Sequence, residues 1–200
     1  MKKLKIVGVT GTSGAGKTTV CALLREKYNA YIIDADEIAK RLSKKGSMYL
    51  QSIVEYFGQE ILDNEGELKR KELATLIYED DEKRQGLNQL TFMYVVQEIK
   101  DKINQLIDKE LIVIDAPLLF ESKLDQVCDF VIGITAQEKT KIERICNRDH
   151  ISCEMAKKRL AIQITEEEIR QKADFVIEND GNIAKLQIEF EKLMKTNKRN

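Results

Sequence analysis

Histidine, proline and net charge are scarce in this 200-residue chain, and tryptophan is absent. His150 is the only histidine, which argues against metal sites built from several histidines and leaves one candidate for a serine–histidine–acid triad. Lysine and arginine number 33 against 34 aspartates and glutamates, so the formal net charge is -1 and the general positive charge of a nucleic-acid or lipid-surface binder is missing. No apolar run approaches the ~20 residues that span a bilayer.

The chain has four cysteines: Cys21, Cys128, Cys146 and Cys153. They form no C-x-x-C pair and no zinc-finger spacing, which predicts free thiols in a reducing compartment. The charged start resembles the beginning of a signal peptide, but Gly8 interrupts the apolar stretch that follows it. One proline, Pro117, and no Ser/Gly-rich linker or repeat predict a single domain over residues 1–200. We expect a cytoplasmic protein in which His150 is exposed and the cysteines carry no chemistry.

Short apolar runs without alternation predict strands that are buried on both faces. There are five such runs, at residues 3–10, 31–33, 111–114, 130–134 and 174–177. Helical spacing follows the first run at 17–28, and helical segments also separate the later runs. This order predicts an α/β fold with a five-stranded parallel sheet between two layers of helices.

Two helical excursions exceed what the connections between strands need. Residues 38–42, 49–57, 71–78 and 87–107 favour helices between the second and third strands. One right-handed crossover needs less chain, so we expect a helical subdomain inserted at about 44–108 over the carboxyl edge of the sheet. A second helical excursion, rich in charge, is expected at about 142–169.

The strongest motif is GTSGAGKT at residues 11–18, which matches the P-loop pattern G-x-x-x-x-G-K-[ST] at every position. The glycines allow backbone N–H groups to point at phosphate oxygens, Lys17 would reach the β- and γ-phosphates, and Thr18 would hold Mg²⁺. A glycine-rich turn with an exposed lysine is the structural alternative, but the strand before the motif and the helix after it favour the P-loop. The predicted nucleotide contacts are Gly11, Ser13, Gly14, Ala15, Gly16, Lys17, Thr18 and Thr19.

A P-loop occurs in GTPases, ATPases and small-molecule kinases. The guanine motif N-K-x-D is missing, since Asn-Lys occurs only at 197–198, and large ATPases need more chain. The chain is therefore interpreted as a nucleotide-dependent kinase of a small metabolite. A nucleotide-switched regulatory module with a protein partner is the alternative.

Two acids end the second strand, in the sequence Asp34-Ala35-Asp36. Asp34 and Glu37 spell a helix-capping box, so Asp34 is expected to cap the next helix. Asp36 is not needed for that cap, and an acid at this edge of a parallel sheet suits the binding of an acceptor hydroxyl. Its structural alternative is a first-turn acid favoured by the helix dipole.

With these motifs together, the chain resembles the dephospho-coenzyme A kinase family from the P-loop nearly to the C-terminus. The resemblance rests on VTGTSGAGKT at 9–18, IDAD at 33–36, FG at 57–58, GELKR at 66–70, PLLFE at 117–121, RICNRD at 144–149, RLAIQ at 159–163 and ADFVIENDG at 173–181. One departure is Leu90-Thr91-Phe92, where the family usually reads Leu-His-Pro. It puts an acceptor contact of that histidine in doubt and leaves the phosphate machinery intact.

The resemblance implies a P-loop kinase that moves the γ-phosphoryl group of ATP to the ribose 3′-hydroxyl of dephospho-coenzyme A, with Mg²⁺. Asp36, Lys17 and Arg144 are then the expected catalytic residues, with Arg144 matching an arginine of a helical lid. Arg148 lies one helical turn later and is expected to close on the phosphates, although a solvated basic stripe is its structural alternative. Neither nucleic acid nor a membrane is an expected partner, and no protein partner is indicated.

Asn179 and Gly181 are expected beside the adenine, with a plain turn as their structural alternative. Asp115 is expected to order Mg²⁺ without binding it, with a turn residue at the end of a strand as its alternative. The expected acceptor contacts are Thr10, Asp36, Leu118 and Glu121. A related kinase of a nucleoside or nucleoside monophosphate remains the nearest alternative enzyme.

Overall fold

The computed structural model describes residues 5–179, 188 and 191, and contains a five-stranded sheet in the order β2-β3-β1-β4-β5. The strands are β1 (Lys5–Thr10), β2 (Tyr31–Asp34), β3 (Leu111–Asp115), β4 (Phe130–Thr135) and β5 (Phe175–Glu178). The pairings β1–β3, β1–β4 and β4–β5 are parallel. The predicted α/β fold with a five-stranded parallel sheet is confirmed.

Eight helices connect or follow these strands within the described part of the chain. They are α1 (Lys17–Tyr28), α2 (Ala35–Leu42), α3 (Met48–Phe57), α4 (Arg70–Glu79), α5 (Asp81–Gln105), α6 (Glu138–Asp149), α7 (Cys153–Ala161) and α8 (Glu166–Lys172). None of the helices among the described residues has the length and apolar character needed to cross a membrane. The chain divides into two compact units, one formed by residues 1–33 and 108–200 and the other by residues 34–107.

The unit formed by residues 1–33 and 108–200, called the sheet unit below, contains strands that are buried along most of their length. Val7 and Val9 of β1, Val113 of β3 and Ile132 of β4 are fully buried in one apolar cluster with the inner face of α1. Gly8 of β1 has no room for a side chain, because a Cβ there would lie 2.7 Å from a methyl group of Leu119. The central strands therefore form a rigid base for the loops at their carboxyl ends.

The helical unit, residues 34–107, has an apolar cluster of its own. Its fully or nearly buried members are Tyr49, Ile53, Phe57, Ile61 and Leu73. Helix α5 starts at Asp81, six residues before the predicted start, because the Asp80 side chain caps it by accepting from the Lys83 N–H at 3.0 Å. The apolar spacing that predicted this helix begins only later, so the charged first turns were missed.

The expected helical excursion at 142–169 consists of three helices, α6, α7 and α8. Helix α6 ends at His150, which adopts a left-handed conformation with φ 53° and is exposed, as predicted. Ser152 then caps α7 by accepting from the Met155 N–H at 3.2 Å. Thr165 and Glu168 form a full capping box at the start of α8.

Candidate functional site

The loop between β1 and α1 has a backbone that glycine alone adopts easily. Gly14 and Gly16 have φ values of 77° and 101°, in the left-handed region. A Cβ on Gly14 would lie 2.6 Å from the Lys141 carbonyl oxygen, and one on Gly16 would overlap the side-chain nitrogen of Asn179. Gly14 and Gly16 are thus required by backbone conformation and by close approach.

The outer side of this loop is held through its carbonyl groups. Arg144 donates from Nη1 to the carbonyls of Gly14 at 3.0 Å and Ala15 at 3.4 Å. Asn179 donates from Nδ2 to the Ala15 carbonyl at 2.8 Å. These two side chains therefore fix the backbone of residues 14 and 15 through its carbonyl groups.

Arg144 and Asn179 also bind each other. The Nη2 of Arg144 donates to the Asn179 carbonyl at 3.2 Å, and the Asn179 N–H donates to Thr135 at the end of β4 at 2.8 Å. Asn179 is buried, so its amide is a fixed support of the loop. Gly181, expected beside the adenine, lies outside the described residues.

Lys17 and Thr18 open helix α1 directly after the loop. Lys17 is half-buried and donates from Nζ to the Gly11 carbonyl at 3.1 Å, whereas the Thr18 side chain is exposed. The Thr19 N–H donates to the Gly16 carbonyl at 3.1 Å, which starts the helix. The ammonium group therefore lies on the loop and faces solvent in part, where a phosphate oxygen can replace a carbonyl oxygen.

Asp115 ends β3 next to helix α1. Its Oδ2 accepts a hydrogen bond from the Cys21 thiol at 3.4 Å. Thr18 precedes Cys21 by three residues and so shares its face of the helix. Thr18 therefore lies one helical turn from the residue that contacts Asp115. Among the described residues, no group of three or more His, Cys, Asp or Glu side chains is arranged to hold a metal ion.

The helices α6 to α8 bring further charges to this region. Arg148 is exposed and donates to Asp149 from Nε at 2.8 Å and from Nη2 at 2.9 Å, and Arg159 of α7 bonds to the same carboxylate. These two arginines, Arg148 first, lower the pKa of Asp149 to about 2. Lys141 is buried and forms an ion pair of 2.6 Å with Glu166, which ties α6 to α8.

Three of the expected acceptor contacts, Thr10, Leu118 and Glu121, belong to the sheet unit. Thr10 is fully buried at the end of β1, and its hydroxyl donates to the Pro117 carbonyl at 3.3 Å. Leu118 is half-buried and Glu121 is exposed. Thr10 therefore supports the turn that presents Leu118.

The other expected acceptor residue, Asp36, lies in the helical unit. It is exposed in the first turn of α2, whose cap is Asp34. The Asp34 carboxylate accepts from the Glu37 N–H at 2.9 Å, so the predicted cap is confirmed. Thr91, at the position where the family usually has histidine, accepts or donates a 2.6 Å hydrogen bond with the Tyr49 hydroxyl inside this unit.

One side chain at the loop was missed from the sequence. Gln163 was noted only within the RLAIQ match, yet it bonds to Ser13 through both atoms of its amide. The two residues are 150 positions apart, and no spacing rule relates them. Gln163 lies within the predicted helical excursion at about 142–169, where no local pattern marks it as a polar side chain in a fixed place.

The family model for dephospho-CoA kinase matches residues 5–185 of this chain. The dephospho-CoA kinase of Fusobacterium nucleatum is 38% identical over 194 residues, which are 96% of this chain and 98% of that protein. The crystal structure of TT1252 from Thermus thermophilus has a TM-score of 0.79 at 27% identity and covers 98% of both chains. A dephospho-CoA kinase structure from Campylobacter jejuni has a TM-score of 0.65 at 28% identity and covers 95% of both chains. This chain therefore belongs to the dephospho-CoA kinase family.

Proposed function

We propose that this chain transfers the γ-phosphoryl group of ATP to the ribose 3′-hydroxyl of dephospho-coenzyme A, giving coenzyme A and ADP in the last step of coenzyme A biosynthesis. The observation that carries the proposal is a complete phosphate-binding loop in a member of the dephospho-CoA kinase family. A nucleoside kinase or a nucleotide-switched module is not favoured, because relatives that match nearly the whole chain are named dephospho-CoA kinase.

The loop between β1 and α1 would receive the phosphates of ATP. Phosphoryl transfer depends mainly on positioning and on neutralising the charge of the moving group. Lys17 would exchange the Gly11 carbonyl for the β- and γ-phosphate oxygens, and the loop N–H groups would bind the remaining oxygens. The proposed ATP contacts are Gly11, Ser13, Gly14, Ala15, Gly16, Lys17, Thr18, Thr19, Arg148, Asn179 and Gly181.

Mg²⁺ would be held beside Thr18. The ion takes few protein ligands and prefers oxygens of phosphates and water, so one hydroxyl with one nearby carboxylate is a fitting donor set. The Thr18 hydroxyl would bind it, and the Asp115 carboxylate on the same side of α1 would order its water. When bound, the ion neutralises charge on the β- and γ-phosphate oxygens.

Arg144 is proposed to stabilise charge on the transferring group. Its guanidinium is half-buried and held by the Gly14, Ala15 and Asn179 carbonyls. Acting on the γ-phosphate requires that it give up at least one of these partners. The three carbonyls meanwhile keep the positive charge at the loop.

The proposed acceptor contacts are Thr10, Asp36, Leu118 and Glu121, and acceptor binding is assigned to the helical insertion at about 44–108. Asp36 would accept a hydrogen bond from the ribose hydroxyl, aim it at the γ-phosphorus, and take its proton as the new bond forms. The lid at about 142–169 would exclude water from the transfer. We place the reaction in the cytoplasm, which the four free cysteines support.

The proposal is tested by measuring ADP release with ATP and Mg²⁺ in the presence and absence of dephospho-coenzyme A. We expect release that depends on the acceptor, and a product that carries a 3′-phosphate. Lys17→Ala should remove most turnover while the melting temperature stays near that of the parent, and Lys109→Ala, at a surface lysine before β3, should have parental activity. Equal ADP release without the acceptor would contradict the proposal.

A further inference from the structure

The side-chain amide of Gln163 holds the middle of the phosphate-binding loop. Its Oε1 accepts from the Ser13 N–H at 2.8 Å, and its Nε2 donates to the Ser13 hydroxyl at 3.0 Å. One side chain therefore binds both the N–H and the hydroxyl oxygen of Ser13. The Ser13 N–H is directed to the Gln163 amide.

Gln163 is itself held in place from both sides. Its own N–H donates to the Leu160 carbonyl at 3.1 Å, at the end of α7. Two residues later Thr165 begins α8 with a full capping box. Helix α8 is tied to α6 by the ion pair between the buried Lys141 and Glu166. The amide thus belongs to a short connection that ordered helices fix at each end.

We propose that Gln163 is a positioning residue that sets the phosphate-binding loop for ATP before the nucleotide arrives. Gly14 and Gly16 give this loop more conformational freedom than other residues would, so an unsupported loop must be ordered when phosphate binds. Gln163 holds Ser13 from one side while Arg144 and Asn179 hold the next two carbonyls. Part of the ordering is thereby completed in the free protein, which strengthens nucleotide binding.

The same contacts link the loop to the helices α7 and α8. Any movement of the connection between these helices would carry Ser13 with it through two hydrogen bonds. The inference rests on the proposed function, since ATP is the nucleotide that the loop serves. Its test therefore uses equilibrium binding of ADP without any acceptor, which succeeds or fails independently of the phosphoryl acceptor.

The experiment compares Gln163→Leu with Gln171→Leu, the same change on the exposed face of α8, where Gln171 donates to Glu167 within its own helix. Calorimetry with Mg²⁺ should show ADP bound about tenfold more weakly by Gln163→Leu, equivalent to ~1.4 kcal/mol. Gln171→Leu should bind ADP as the parent does. The Kd of dephospho-coenzyme A should be the same in all three proteins.

Ser13→Ala supplies a second measurement that a general loss of stability would not reproduce. It removes the hydroxyl but keeps the N–H, so it should weaken ADP binding by about threefold. Added to Gln163→Leu it should cause no further loss, because the contact is already gone. Parental ADP affinity in Gln163→Leu, or additive losses in the double variant, would overturn the inference. A lower melting temperature with unchanged ADP affinity would overturn it as well.

Discussion

The Cys21 thiol donates a hydrogen bond to the Asp115 carboxylate, with 3.4 Å between Sγ and Oδ2. This contact joins the second turn of α1 to the end of β3. It places the carboxylate on the face of α1 that also carries Thr18. The contact thus links the end of a central strand directly to the helix that follows the phosphate-binding loop.

Asp115→Asn should weaken the use of Mg²⁺ and spare the fold. The amide keeps the shape and an oxygen for Cys21 but loses the negative charge that would orient metal-bound water. Outer-sphere partners of this kind typically contribute 10–100-fold, so the Mg²⁺ concentration for half-maximal rate should rise by about tenfold or more. Rates across a Mg²⁺ titration measure this. Asp108→Asn, at an exposed acid, should leave the titration unchanged, and an unchanged titration in Asp115→Asn would remove Asp115 from the metal site.

The fold was predictable where burial alone decides the structure. Val7, Val9 and Ile112 lie in strands buried on both faces, and such strands have continuous apolar runs in the sequence. The start of α5 was not predictable from apolar spacing, because its first turns are charged and depend on the Asp80 cap. Capping by one side chain is a local signal, but it is weaker than a periodic apolar stripe.

The candidate site was predictable in its motifs and not in its contacts. The spacing of Arg144 and Arg148 indicated one pair acting together, yet Arg144 binds loop carbonyls and Arg148 binds Asp149. Which partner a long cationic side chain chooses depends on tertiary structure. The bond between Gln163 and Ser13 likewise joins residues that only the folded chain brings together.

Arg144→Ala should lower kcat more than it raises the KM of dephospho-coenzyme A. Arginines that meet the charge of a transferring phosphoryl group contribute on the order of 10³ or more in related transfers. Arg144→Lys should recover little, because one ammonium cannot reproduce the fork that reaches Gly14, Ala15 and Asn179. Steady-state kinetics with both substrates varied separates the effects. Arg25→Ala, on an exposed part of α1, serves as the control. A change confined to the acceptor KM would make Arg144 an acceptor-binding residue.

Asp149 should stabilise the fold at neutral pH and lose this effect in acid. Hydrogen bonds from Arg148 and Arg159 lower its pKa to about 2 in the folded chain, against about 3.9 for a free aspartate. The stabilisation is therefore complete above about pH 5 and is lost as the pH falls through the folded pKa. Urea unfolding should show Asp149→Asn less stable than the parent at pH 6, with a smaller difference at pH 3. A difference independent of pH would mean that packing, and not charge, is what Asp149 contributes.

Asp36→Asn should fold normally and bind ATP but lose about 10²–10⁴ in kcat, the usual range for a removed general base. A ribose hydroxyl has a far higher pKa than a carboxyl, so Asp36 cannot remove its proton before the transfer begins. In a loose transition state the nucleophile needs little prior deprotonation, and the acid mainly aims the hydroxyl and accepts the proton late. The amide keeps the shape and one oxygen but has neither the charge nor the capacity to take the proton.

Asp34→Asn is the matched comparison, two residues away in the same D-A-D sequence. The Asp34 carboxylate accepts from the Glu37 N–H at 2.9 Å as the cap of α2, and asparagine is also a good cap. Asp34→Asn should therefore cost about 1 kcal/mol or less in the free energy of unfolding and a smaller part of the activity than Asp36→Asn. Thermal melting and steady-state kinetics on both variants separate a cap from a catalytic acid. If Asp34→Asn is inactive while Asp36→Asn turns over normally, the roles of the two acids are the reverse of those assigned here.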